Sequence, residues 1–126
     1  MASSIDFVNK VFVIKMVGEL SIRDINDANA QIYRDENFDV QIGQIWDLSA
    51  ASLAQINERD MLIPVANDLG AAYSHSDVGV ALVVQAPHDV AICQAYIEMS
   101  QKHESPWRFK ICGSVDEAEM WVRRAR

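Results

Sequence analysis

Val78-Gly79-Val80-Ala81-Leu82-Val83-Val84 is an unbroken apolar run of β-branched and small residues. A run this short, bounded by polar residues, reads as a strand covered on both faces, the habit of a parallel sheet. Its Gly79 and Ala81 predict close packing on one face, and the strand is expected in the sheet interior. Downstream, Asp89 after Pro87 is read as the N-cap of a helix reaching about Lys102, with Ile92, Cys93, Tyr96 and Met99 on one stripe. Trp107, Phe109 and Ile111 then alternate with Arg108 and Lys110, the period-two signature of a half-buried strand. The charged face discourages pairing with another chain, so this strand is expected at an edge.

The same alternation extends outward in both directions. Upstream, the bunched apolar residues of Gly43 to Leu48 predict another covered strand. Between it and Val78, a helical pattern from Asn57 to Tyr73 runs through Met61, Val65, Leu69 and Ala72. Pro64 interrupts it, and a proline inside a helix costs about 3 kcal/mol, so a kink or a new start is expected near Ile63. Further upstream, Ser21-Ile22-Arg23-Asp24 resembles a capping box opening a helix. Ile25, Ala28, Ile32 and Tyr33 face inward there, with Asp24, Asp27, Asn29 and Arg34 outward. Ile5 to Val8 and Val11 to Val17 flank Asn9-Lys10 as an antiparallel hairpin.

At the other end, Ser114-Val115-Asp116-Glu117 is a Ser-x-x-Glu capping box ahead of Ala118, Trp121, Val122 and Ala125 on a helical stripe. If the Trp121 ring is buried, its truncation should cost about 3 to 5 kcal/mol. The order β-β-α-β-α-β-α-β-α specifies an α/β fold: a mixed, mostly parallel sheet of about five strands, an N-terminal antiparallel hairpin and four helices. Two-layer and three-layer packings both satisfy that order. With 126 residues and no linker or internal repeat, residues 1–126 are expected to form one domain.

The formal net charge is −7, and only Arg123, Arg124 and Arg126 cluster. Nucleic acids and anionic membranes demand a basic footprint, so neither is expected as a partner. No stretch is apolar enough for a membrane span and the N-terminus lacks signal-peptide character, which makes the cytoplasm the expected location. Cys93 and Cys112, each among apolar neighbours, fit small buried hydrophobes of a reducing compartment.

In open α/β sheets ligands gather at the carboxyl ends of strands, which directs attention to Asp47-Leu48-Ser49. Phosphoryl transfer to an aspartate needs further acids beside it, and the first strands offer only Glu19 near a strand end. Asp47 reads as a turn residue. Ser49 has no Gly-x-Ser-x-Gly elbow, and His75, His88 and His103 have no metal-ligand spacing with each other or the cysteines; each reads as a solvated or capping side chain. The glycines stand alone, without a phosphate-binding loop. The sequence implies no catalytic residue, no metal and no cofactor, and Trp46, Trp107 and Trp121 read as core.

Val17 to Ile25, the strand end Ile45-Trp46-Asp47-Leu48-Ser49, Val78 to Val84 and the C-terminal pattern from Phe109 through Trp121 resemble the STAS group, and more closely its short SpoIIAA-like stand-alone bacterial proteins. The resemblance covers almost the whole chain. It implies a helix-backed sheet related to the lipid-binding Sec14 type, and a non-catalytic role in switching protein partners. Anti-sigma-factor antagonists carry a phosphorylated serine in an Asp-Ser-Ser-Gly-like turn opening the second helix. Here that stretch reads Ala54-Gln55-Ile56-Asn57-Glu58-Arg59-Asp60, without a serine.

Two readings follow from the resemblance and the strand-end rule. The first is a protein-interaction module whose partner surface is Asp47 to Asp60, with Asp47, Ser49, Asn57, Glu58 and Asp60 as contact residues. Reversing charge at Glu58 and Asp60 is then expected to change stability by at most about 0.5 kcal/mol. The alternative is a carrier of a small apolar or lipid-like ligand held between helices and sheet. Self-association is open under either.

Overall fold

The computed structural model describes residues 2–124, with the expected order of elements. Strands β1 (Ala2–Val8) and β2 (Val11–Glu19) form the hairpin. They are followed by α1 (Ile22–Arg34), β3 (Gly43–Ser52), α2 (Leu62–Ala71), β4 (Gly79–Val83), α3 (Pro87–Lys102), β5 (Arg108–Cys112) and α4 (Val115–Arg124). Met1, Ala125 of the C-terminal stripe and Arg126 of the arginine cluster lie outside the described residues. Asn9 and Lys10 both take left-handed backbone, with φ of 48° and 69°, as a tight two-residue hairpin turn requires.

The strands lie in chain order across the sheet, β1 antiparallel to β2 and the rest parallel. When parallel strands are laid down consecutively and each crossover keeps the same right hand, every crossover helix falls on one face. Accordingly α1, α2 and α3 cover Phe12, Ile14, Met16, Trp46, Leu48, Val80 and Leu82. Helix α4 follows the last strand and packs on the opposite face, with Ala118 and Val122 against Val11, Ile45, Ala81, Val83 and Cys112. The packing is thus three-layered, three helices against one.

Strand β4 is buried throughout between β3 and β5, and β5 is an edge. The small residues of β4 do face a close neighbour. A Cβ on Gly79 would lie 3.5 Å from the Trp121 ring, and Ala81 belongs to the α4-facing cluster. Both cysteines are buried and free. Among the described residues no helix is long and apolar enough to cross a membrane.

Several boundaries differ from the sequence expectation. Helix two does restart at the proline: a 3₁₀ turn (Glu58–Met61) precedes α2, and Pro64 falls in the first α-helical turn, where a missing N–H breaks no bond. Helix α3 opens at Pro87, with Ala86 as its N-cap, because proline's fixed φ suits a first helical position. Asp89 is therefore not the cap; it is buried and accepts a bond from the Leu53 N–H at 3.1 Å. Trp107 precedes β5, its indole N–H donating to the His75 carbonyl at 2.8 Å. Asn29, expected outward, is only 4% exposed.

The Trp121 ring is half-buried rather than enclosed. Trp121→Ala is accordingly expected to cost about 1 to 3 kcal/mol, below the range for a fully buried ring. Urea melts of the two proteins test this, and a loss within error of zero would mean that the ring does not hold α4 on Gly79.

Candidate functional site

The first candidate surface begins on β3, which is longer than the sequence indicated. After a bulge between Lys15 and Val17, β2 continues to pair, Val17, Gly18 and Glu19 lying opposite Ala50, Ala51 and Ser52. Asp47 and Ser49 therefore lie within a strand, not in the loop beyond it. They engage each other: the Asp47 carboxylate accepts from the Ser49 hydroxyl at 2.6 Å and from its N–H at 3.1 Å.

The loop after Ser52 is anchored rather than loose. Leu53 and Ile56 are buried, and the Ile56 N–H bonds the Leu53 carbonyl at 2.9 Å. His88 Nε2 lies 3.1 Å from both the Leu53 and Ile56 carbonyl oxygens, so that nitrogen carries the proton. Gln55 Nε2 donates to Glu19 Oε1 at 2.7 Å. Next comes a reciprocal cap: the Asp60 N–H donates to Asn57 Oδ1 at 3.0 Å and the Asn57 N–H to Asp60 Oδ2 at 2.9 Å. Asn57 and Asp60 are thus committed to the turn, whereas Glu58 is exposed and makes no such bond. Charge reversal at Asp60 would remove a cap worth about 1 kcal/mol, so the expectation of an almost neutral Glu58 and Asp60 double reversal does not hold.

Met61 closes the turn inward, and Leu62 and Ile63 point outward, 49% and 53% exposed. The sequence reading stopped at Asp60 and so missed this apolar step. The signal was there: Met61, Pro64, Val65, Asp68 and Ala72 complete the inner face of a helix, leaving Leu62 and Ile63 on the outer one.

A second candidate lies under α1, α2 and α3. Asp68, on the inner face of α2, accepts hydrogen bonds from the hydroxyls of Tyr33 on α1 and Tyr96 on α3, one on each carboxylate oxygen. Burial pushes Asp68 up to about 6, against the opposing pull of the two tyrosine bonds. Burial and the nearby carboxylate raise both tyrosine hydroxyls, so they remain donors. Burial, then Asp89, pushes the Cys93 thiol up to about 12, which leaves it an inert thiol.

Beside Asp68 is a cavity of about 40 Å³ lined by Asn29, Tyr96 and Cys93 and otherwise by apolar side chains, Trp46 and Leu82 among them. An apolar cavity that takes benzene measures roughly 150 Å³, so a lipid-like tail would enter only if the helices parted. Among the described residues no group of histidine, cysteine and carboxylate side chains could hold a metal ion.

No protein-family model and no curated protein matches the chain. Solved structures do. An anti-sigma factor antagonist from Mycobacterium paratuberculosis superposes with a TM-score of 0.64 at 17% identity, over 97% of this chain and 93% of that one. The anti-sigma factor antagonist SpoIIAA, in its unphosphorylated form, superposes with a TM-score of 0.60 at 19% identity, over 97% and 96% of the two chains. At these identities the likeness speaks for the fold, and it spans both chains almost entirely. The consecutive five-stranded sheet, with three helices on one face and one on the other, gives this chain the fold of these two anti-sigma factor antagonists.

Proposed function

We propose that this protein is a non-catalytic regulatory module that binds a protein partner through the face running from Asp47 to Ile63. The observation that carries this reading is the exposed Leu62–Ile63 step, held by a reciprocally capped turn that His88 and Asp89 tie to α3. An apolar pair on a fixed, polar-rimmed scaffold loses little entropy on association and gains from its own burial. The two superposing antagonists support a partner of the anti-sigma factor class. Glu58 is an exposed charge on the rim, and Asp47, Ser49, Asn57 and Asp60 shape it.

The test is affinity capture from native-host lysate with wild type and a Glu58→Lys/Ile63→Asp double variant, each also melted in urea. Both positions are exposed, so stability should move by no more than about 0.5 kcal/mol. Capture of an anti-sigma factor by wild type should fall at least about tenfold in the variant, since losing an apolar anchor and opposing a charge weakens complexes by over 1.4 kcal/mol. Equal capture by both proteins would remove this face as the interface.

We further propose that the partner is not released by serine phosphorylation at the helix-two turn. Asn57, Glu58 and Arg59 occupy it, and the nearest upstream hydroxyls are engaged: Ser49 donates to Asp47, and Ser52 accepts the Ala54 N–H at 3.2 Å. Incubation with a host anti-sigma kinase and ATP should leave the intact mass unchanged. A single added phosphate on Ser49 or Ser52 would reverse this conclusion.

A further inference from the structure

The two edges of the sheet are finished differently. Strand β5 is short and carries Arg108 and Lys110, charges that keep an edge from pairing with another chain. Strand β1 holds no lysine or proline and pairs with β2 in an unbroken register, so no bulge twists it away. Its open side follows from the turn. Val8 and Val11 flank a two-residue turn and form a hydrogen-bonded pair, and such pairs alternate along an antiparallel ladder. Ser4 and Asp6 therefore bond to β2, opposite Lys15 and Val13, while the N–H and C=O groups of Ser3, Ile5 and Phe7 point away from it. Strand β2 is the only neighbour of β1 in the sheet, so among the described residues these groups have no ladder partner. An edge this open is a template for a further strand.

We propose that β1 is a homodimer interface, pairing antiparallel with β1 of a second copy about a two-fold axis at Ile5. The open groups themselves set this register. Only with Ile5 on the axis do they all meet one another, Ser3 opposite Phe7 of the second copy and Ile5 opposite its own counterpart, each pair exchanging both bonds. Moving the axis to Asp6 would set two carboxylates face to face, and moving it to Ser4 would carry Phe7 past the start of β1. Side chains suit the Ile5 register on both faces. On the face covered by α1, α2 and α3, the half-buried Ile5 and Phe7 extend the core toward the axis. On the other, Asp6 falls opposite Ser4 of the second copy, a close non-hydrogen-bonded pair in which the hydroxyl can donate to the carboxylate. Lys15 lies beside that Ser4 in its own hairpin; it and Asp6 are exposed and make no ion pair among the described residues. The neighbour of Lys15 on its other side is Asp47, which already accepts from Ser49. The lysine of each copy can thus reach over the small serine to Asp6 of the other, since two strand spacings are about 10 Å and both side chains lean across. This interface goes beyond the partner-binding reading and does not depend on it.

The test is sedimentation equilibrium of the full chain, without an N-terminal tag, from about 1 μM to about 1 mM, the span of weak to moderate affinities. Wild type should pass from one copy to two and no further, because a two-fold pairing consumes the open edge. Amide hydrogen exchange at the two ends of that range should show protection rising with concentration at Ser3, Ile5 and Phe7, while Ser4, Asp6 and Val8 stay protected throughout. Ser4→Asp leaves the monomer intact, since Ser4 is exposed beside Lys15. In the dimer it sets like charges opposite each other on both sides of the axis, and should weaken association at least about tenfold. Adding Asp6→Lys makes each opposed pair attractive and should restore association to within about threefold of wild type. The proposal is overturned if wild type remains a single copy up to about 1 mM, if protection rises elsewhere but not at those amides, if Ser4→Asp dimerises like wild type, or if the double variant pairs no better than Ser4→Asp.

Discussion

Gly43→Val is expected to leave no stably folded protein, and Gly43→Ala to lose about 3 kcal/mol or more, the upper end of overpacking costs. Gly43 opens β3 between Val11 of β2 and Gly79 of β4, under α4. A Cβ built there would lie 2.6 Å from the Gly79 carbonyl oxygen and 2.6 Å from Val122 Cγ1. Both are about an ångström inside ordinary contact. The carbonyl belongs to backbone held in the sheet interior, and Val122 is fully buried in the small cluster that fastens α4. Relief therefore requires α4 to lift. Gly70→Ala is the control: nothing lies within 4 Å of that Cβ position, which is in an exposed part of α2. It should be neutral or stabilising by up to about 1 kcal/mol, because alanine suits a helix better. Urea melts decide the matter, and a Gly43→Ala protein within about 0.5 kcal/mol of wild type would mean that α4 does not dock as described.

The second large effect is a pH dependence carried by Asp68. Its acidity shifts from 3.8 when exposed to about 6 in the fold, so the folded state favours the neutral acid. The stabilisation this provides is fully present below pH 3.8 and is lost as pH rises through 6. A shift of about two units corresponds to roughly 3 kcal/mol of penalty above that window. Asparagine can accept from one tyrosine and donate to the other while staying neutral. Asp68→Asn should therefore match wild type near pH 4 and exceed it by up to roughly 3 kcal/mol at pH 8. Removing either tyrosine hydroxyl, as in Tyr33→Phe or Tyr96→Phe, takes away a bond that holds the carboxylate in its charged form, and should move the loss of stability to higher pH. Paired urea melts at the two pH values provide the measurement. A constant difference between wild type and Asp68→Asn would show that Asp68 does not titrate in this interval.

The candidate sites differed in how far the sequence exposed them. Glu58 was visible as part of a polar, charged stretch, whereas the cap beneath it went unread although Asn57 and Asp60 are three residues apart and satisfy each other locally. Leu62 and Ile63 became a surface feature only once the helix restart at Leu62 fixed which face turns inward. Asp68 and Asn29 were missed for a different reason. A polar residue at an inward helical position reads as an irregularity in the pattern, and its partners come from other elements. Tyr33 lies 35 residues from Asp68, and Tyr96 lies 28.

Sequence by itself determined the order of elements, the parallel sheet and the hairpin, because periodicity, caps and turns depend on residues a few positions apart. The Ser21–Asp24 box formed as read, with the Ser21 N–H 2.8 Å from Asp24 Oδ2. Even where the reading was nearly right, a neighbour adjusted it: Glu117 reaches back to the Gly113 N–H at 3.1 Å rather than to that of Ser114. Only the tertiary structure decided that β3 runs on to Ser52, since its length is set by the ladder β2 offers beyond the bulge. It also decided that α4 stands alone on its face and that Asp68 is shut in among three helices. Each of these is a contact between distant segments, whose energy is gained only after the chain has closed the loops that join them.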